Sequence, residues 1–126
     1  MHPARRTVSE AETRRANRRE WDAYADEYQA THGEFLRDVG FVWCPEGVDE
    51  AEAHVLGDVT GRDVLEVGCG AAQAARWLVS QGARVTAFDV SLGQLFSTWT
   101  PTKLPLTSYH IRPPWNCWPE TAGLAW

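Results

Sequence analysis

The nine residues Val64-Leu65-Glu66-Val67-Gly68-Cys69-Gly70-Ala71-Ala72 constrain the fold more than any other part of this chain. An apolar run of strand length enters two closely spaced glycines, and an alanine-rich stretch from Ala71 to Gln81 reads as helix. Gly82 stops that stretch, and Arg84 to Phe88 is a second strand-like run that ends at Asp89. Strand, helix and strand in this order predict two parallel strands joined by a right-handed crossover, because a chain that returns through a helix re-enters the sheet in the same direction. The class is α/β.

The turn itself carries chemistry. Gly68 permits the sharp exit from the strand, and Gly70 has no Cβ to block close approach of a ligand. A helix starting near Ala71 directs unpaired N–H groups at whatever lies there. Glu66 is an acid in an otherwise apolar strand; buried, it needs a partner, and a cationic ligand group would serve. Asp89 stands 21 residues after Gly68, placed to accept hydrogen bonds from the two hydroxyls of a ribose.

Upstream, Ser9-Glu10-Ala11-Glu12 reads as a capping box, with Ser9 as N-cap. Trp21, Tyr24 and Tyr28 then recur at helical spacing, on a helix expected to end near Thr31 with Gly33 after it. Trp21 and Tyr28 fit an ordinary core stripe as well as a ligand contact. Phe35 to Trp43 is apolar but irregular. Asp49 to Leu56 reads as a short helix, capped by Asp49 and ended by Gly57. The helical cap therefore spans 9–56 and the β-α-β unit 63–95, together one domain over 1–95. Beyond it, residues 96–126 hold five of the seven prolines and four of the seven tryptophans. These prolines exclude a useful helix or a central strand, so an irregular tail is expected.

Charge and composition narrow the function classes. The net charge is −5, but residues 1–19 carry six arginines against two glutamates, while residues 20–95 carry 14 acids against four arginines. An acidic body suits a nucleic-acid partner poorly. Arg14, Arg15, Arg18 and Arg19 read as a solvated helix face, with a nucleic-acid patch as the other possibility. No apolar run reaches the roughly 18 residues of a membrane span. Cys44, Cys69 and Cys117 are odd in number and far apart, which points to reduced thiols in a cytoplasm. Cys69 reads as a small residue filling a tight turn, and no histidine forms a ligand spacing with a cysteine, so no metal is expected.

Two cofactor classes use such a turn. A dinucleotide site asks for G-x-G-x-x-G or its alanine variant, whereas the sixth position here is Gln73, and a pyrophosphate has no use for Glu66. The run Glu66-x-Gly68-x-Gly70-x-Ala72 instead resembles motif I, (D/E)-x-G-x-G-x-G, of the class I S-adenosylmethionine-dependent methyltransferases. Ala72 replaces the third glycine, a modest change because that residue is expected in the first turn of the helix, where alanine has the highest propensity. Trp21-Asp22-x-x-Ala25-x-x-Tyr28 resembles the family's N-terminal helix motif, and Ala87-Phe88-Asp89-Val90-Ser91-x-x-Gln94-Leu95 its second motif. The matches follow the family's order and cover roughly residues 21 to 95.

The resemblance implies a partial Rossmann-like fold binding S-adenosylmethionine. It implies Glu66 at the methionyl amino group, backbone of Gly68, Cys69 and Gly70 along the cofactor with Ala72 closing the motif, Asp89 on the ribose, Val90 against adenine and Tyr28 as a lid contact. The implied activity is methyl transfer to a small-molecule acceptor, with no catalytic residue assigned. The family's sheet runs 3-2-1-4-5-7-6, and this chain supplies recognisable strands 1 and 2. The expectation is thus a truncated or frameshifted enzyme with weak or no turnover, in which the strand at 64–67 shows an open apolar edge. The alternative is a nonenzymatic cofactor-binding or dimerising module.

Overall fold

The computed structural model describes residues 6–96 and 109–112. Most of the proline- and tryptophan-rich tail expected to be irregular lies outside the described residues. The elements are α1 (Glu10–Leu36), α2 (Glu50–Ala53), β1 (Asp63–Val67), α3 (Gln73–Ser80), β2 (Arg84–Phe88), α4 (Leu92–Phe96) and β3 (Tyr109–Arg112).

Helix α1 begins at the expected capping box, where the Ser9 Oγ accepts the Glu12 N–H at 3.1 Å. It does not end at Thr31. Gly33 is carried inside the helix, and closure comes at Arg37, whose N–H reaches the Gly33 carbonyl at 2.8 Å. One interior glycine costs only about 1 kcal/mol relative to alanine, which neighbouring helical bonds outweigh. Helix α2 starts at Asp49 as expected but stops after Ala53, well before Gly57. The buried Glu50 carboxylate accepts the N–H groups of Val55 and Leu56 at 3.0 and 2.8 Å, drawing them away from helical partners.

Strands β1 and β2 have the boundaries the apolar runs predict, and they pair in parallel from Asp63↔Arg84 to Val67↔Phe88. An Asp63–Arg84 ion pair closes the start of the ladder at 2.7 Å. On the far side of β2, Tyr109–Arg112 pairs in parallel as β3, giving the order β1-β2-β3. For these four residues the expectation of irregular structure does not hold. They are a proline-free interval between Pro105 and Pro113, and an edge strand needs pairing on one side only.

The molecule is therefore a mixed helix and parallel-sheet structure, a partial α/β fold. Val64, Glu66, Val85 and Ala87 face α3, where Ala75, Leu78, Val85 and Ala87 form the centre of the core with Val59, Cys69, Ala72 and Ala83. The opposite face carries Leu65 and Val67, which are 63% and 67% exposed at the β1 edge. No helix among the described residues is long and apolar enough to cross a membrane.

Candidate cofactor site

At the carboxyl ends of β1 and β2 lies a cavity of about 400 Å³, lined by Trp21, Tyr28, Val67, Gly68, Gly70, Phe88, Asp89, Val90 and Gln94. Its size falls within the usual range for small-molecule sites. Three pieces of chain build it: the turn after β1, the end of β2 running into α4, and one side of α1.

The turn is held from β2. The Phe88 carbonyl accepts the N–H groups of both Gly68 and Cys69, at 2.8 and 3.1 Å. The Asp89 Oδ2 accepts the Gly70 N–H at 2.7 Å, and Oδ1 accepts the Ser91 N–H at 2.8 Å. The turn's N–H groups are thus engaged within the protein, and a ligand meets Gly68 and Gly70 along their Cα surfaces. Gly68 and Gly70 have φ of +71° and +53°. A Cβ at Gly68 would meet nothing within 4 Å, so backbone angle, more than space, calls for glycine there.

Ala72 corrects the sequence expectation. It is not in the first helical turn: it is the N-cap of α3, in the left-handed region at φ 60° and ψ 32°. The third glycine of the consensus falls where an L-residue pays about 1–2 kcal/mol for that conformation. Ala72 is buried in the core.

Of the expected contacts, Tyr28, Gly68, Gly70, Asp89 and Val90 meet at the cavity, whereas Glu66, Cys69 and Ala72 are not among its lining residues. Cys69 turns into the core, and its burial, reinforced by the charges of Glu66 and Asp89, pushes the thiol up to about 12, which makes it a poor nucleophile. Glu66 projects to the same side of the sheet as Asp89 but stands behind the turn. Burial raises its carboxyl to about 7, against the lowering influence of the Ala75 N–H and Arg76. Its Oε2 is buried without a hydrogen-bond partner. Arg76, also buried, holds the turn from behind: its guanidinium donates to the carbonyls of Asp38 at 2.6 Å and Ala71 at 2.7 Å.

Trp21, for which a ligand contact was one of two readings, belongs to the wall, and so do Val67, Phe88 and Gln94, which had no expected site role. For Phe88 and Gln94 the only signal was their place within the quoted motifs. The aromatic stripe of α1 is not a core stripe: Trp21 and Tyr28 stack edge to face at 6.0 Å, and Tyr28 lies on His32 at 4.5 Å. Gln94 is tied to α1 by the Gln29 amide at 2.8 Å, and Gln29 to α3 by the Gln73 amide at 3.2 Å.

A second cavity of about 200 Å³ lies at the other end of the strands, beside Glu50, His54, Asp58 and Trp77. Glu50 there is already occupied, accepting the Trp43 indole N–H at 2.7 Å besides the two backbone donors. Among the described residues no group of His, Cys, Asp and Glu could hold a metal ion. Comparison with protein-family models, curated proteins and solved structures finds no match to this chain.

Proposed function

We propose that the chain holds S-adenosylmethionine in the larger cavity, as the cofactor-binding part of a Rossmann-like methyltransferase acting on a small molecule. The observation that carries this is Asp89: it closes the end of β2, pins the glycine turn through Gly70, and lies on the wall of a cavity roofed by Trp21 and Tyr28.

The donor set suits a nucleoside with a cationic sulfur. Each Asp89 oxygen accepts one backbone N–H and has capacity for another donor, which matches two adjacent ribose hydroxyls. Val90 and Phe88 offer apolar surface to a flat base, and the faces of Trp21 and Tyr28 attract a cation. Among the described residues, no lysine or arginine lines the cavity. A pyrophosphate would meet the Asp89 charge with no cation among the described lining residues to offset it, which disfavours a nicotinamide dinucleotide. S-adenosylmethionine supplies an electrophilic methyl group; the chain's own residues bind the nucleoside, orient it and cover it. Methyl transfer also needs an acceptor held in line. With β1 at the sheet edge the wall is one-sided, and we expect cofactor binding with weak turnover.

Titration calorimetry tests this. S-adenosylhomocysteine is expected to bind and NAD not to, and Asp89→Asn is expected to weaken S-adenosylhomocysteine by about 10- to 100-fold, the loss of hydrogen bonds to a charged acceptor. Tighter binding of NAD, or no heat with S-adenosylhomocysteine, would overturn it. Among the described residues no strand pairs with the outer side of β1, which favours a second reading, a dimerising module in which another copy covers Leu65 and Val67.

A further inference from the structure

Helix α1 is held to the molecule by directional bonds more than by buried surface. Of its 27 residues, Ala25 alone is buried. The bonds converge on one place. The Asp22 Oδ1 accepts the Ser91 hydroxyl at 2.7 Å and the Gly93 N–H at 3.0 Å, while Oδ2 faces Arg18 at 3.6 Å. One turn on, Ala25 and Gly93 touch so closely that a Cβ at position 93 would lie 3.1 Å from the Ala25 Cβ and 3.2 Å from the Asp22 carbonyl oxygen.

Ser91 is a junction. Fully buried, it donates its hydroxyl to Asp22, accepts the Gln94 N–H on that hydroxyl at 3.0 Å, and donates its own N–H to Asp89 at 2.8 Å. Asp89 in turn accepts from Gly70. A continuous line of hydrogen bonds therefore runs from α1, through the acid on the cavity wall, to the glycine turn.

We infer that Asp22 and Ser91, with Gly93 permitting the close approach, form a latch that fastens α1 over the cavity and couples its docking to ligand binding. Neither Asp22 nor Ser91 lines the cavity; both are positioning residues. Their action passes through Trp21 and Tyr28, which are the contribution of α1 to the wall, and through Asp89. A ligand that needs both walls binds the latched state, so its apparent affinity falls in proportion to the latched fraction. The inference rests on the cavity being the nucleoside site proposed above.

The test uses the full chain, with calorimetric titration of S-adenosylhomocysteine and hydrogen exchange read peptide by peptide. Asp22→Ala is expected to weaken binding about tenfold, as a latched fraction near one-tenth requires. It should speed exchange in residues 10–36 while residues 63–67 and 84–88 keep wild-type protection. Asp22→Asn retains the oxygen that Ser91 and Gly93 share and should stay close to wild type. Gly93→Ala makes α1 retreat by a few tenths of an ångström and should fall between the two. Equal affinity in Asp22→Ala and wild type would overturn the latch, as would faster exchange spread evenly over helix and sheet. If the wild type binds no S-adenosylhomocysteine, the nucleoside reading fails separately. The latch then stands or falls on whether Asp22→Ala, and not Asp22→Asn, frees α1.

Discussion

Glu66 is the least comfortable residue in the molecule, and its discomfort has a sign. Unfolded, its carboxyl titrates near 4.5; folded, burial moves it to about 7. Between those values the unfolded chain gives up a proton that the folded chain keeps, so stability is fully present below pH 4.5 and declines as pH rises to 7. The shift corresponds to about 3 kcal/mol. Glu66→Gln should therefore be more stable than wild type at pH 8, by about 1–3 kcal/mol, and lose this advantage at pH 4. Urea midpoints at the two pH values check it; equal midpoint shifts at both would refute the burial account. Arg76 lowers the Glu66 carboxyl only through its charge: its Nε and Nη1 donate to the Asp38 and Ala71 carbonyls, and its Nη2 is buried without a hydrogen-bond partner.

Among the elements, β1 departs most from what a parallel sheet asks. Parallel sheets are normally covered on both faces, yet here α3 covers one, and Leu65 and Val67 stand exposed on the other. Among the described residues β1 has no partner on its outer side, and an apolar strand edge left so templates pairing with another strand. Leu65→Lys and Val67→Lys should each reduce self-association, with little change in folding stability because both side chains already face water. Sedimentation velocity at several concentrations reads the effect. A wild-type chain that stays monomeric at high concentration would remove the basis for a dimerising role.

At the scale of the whole molecule, an acidic body carries an arginine-rich helix end, and the cavity lies where α1 crosses the carboxyl ends of the strands. A ligand seated there touches α1, the turn and β2 at once, so it ties together parts that share little buried surface. Saturation with S-adenosylhomocysteine at a hundred times its dissociation constant should add about 2.7 kcal/mol. With an unfolding entropy of about 2 cal/mol/K per residue, the melting midpoint should rise by about 10 °C. A melting curve unmoved by saturating ligand, with calorimetric binding present, would mean that the unfolded chain binds it equally well and would refute a site assembled from these three parts.

Local chemistry was enough to read much of this. Ser9 and Asp49 cap their helices because a short polar side chain before a helical run has that use anywhere. The boundaries 63–67 and 84–88 follow from apolar runs closed by glycine and aspartate. Placement of side chains relative to the turn was another matter. Glu66 and Asp89 are near enough for the charge of one to act on the other, yet Asp89 lines the cavity and Glu66 is buried away from it. Ala72 looks like a helix former in a string of letters, but the cost it carries arises from a left-handed backbone that the packing of α3 on the sheet imposes. Tyr109–Arg112 became a strand only because β2 offered it a free side. Periodicity and capping are properties of neighbours along the chain; these last features depend on which distant residues fill the space, and that is settled only when the sheet, α1 and α3 come together.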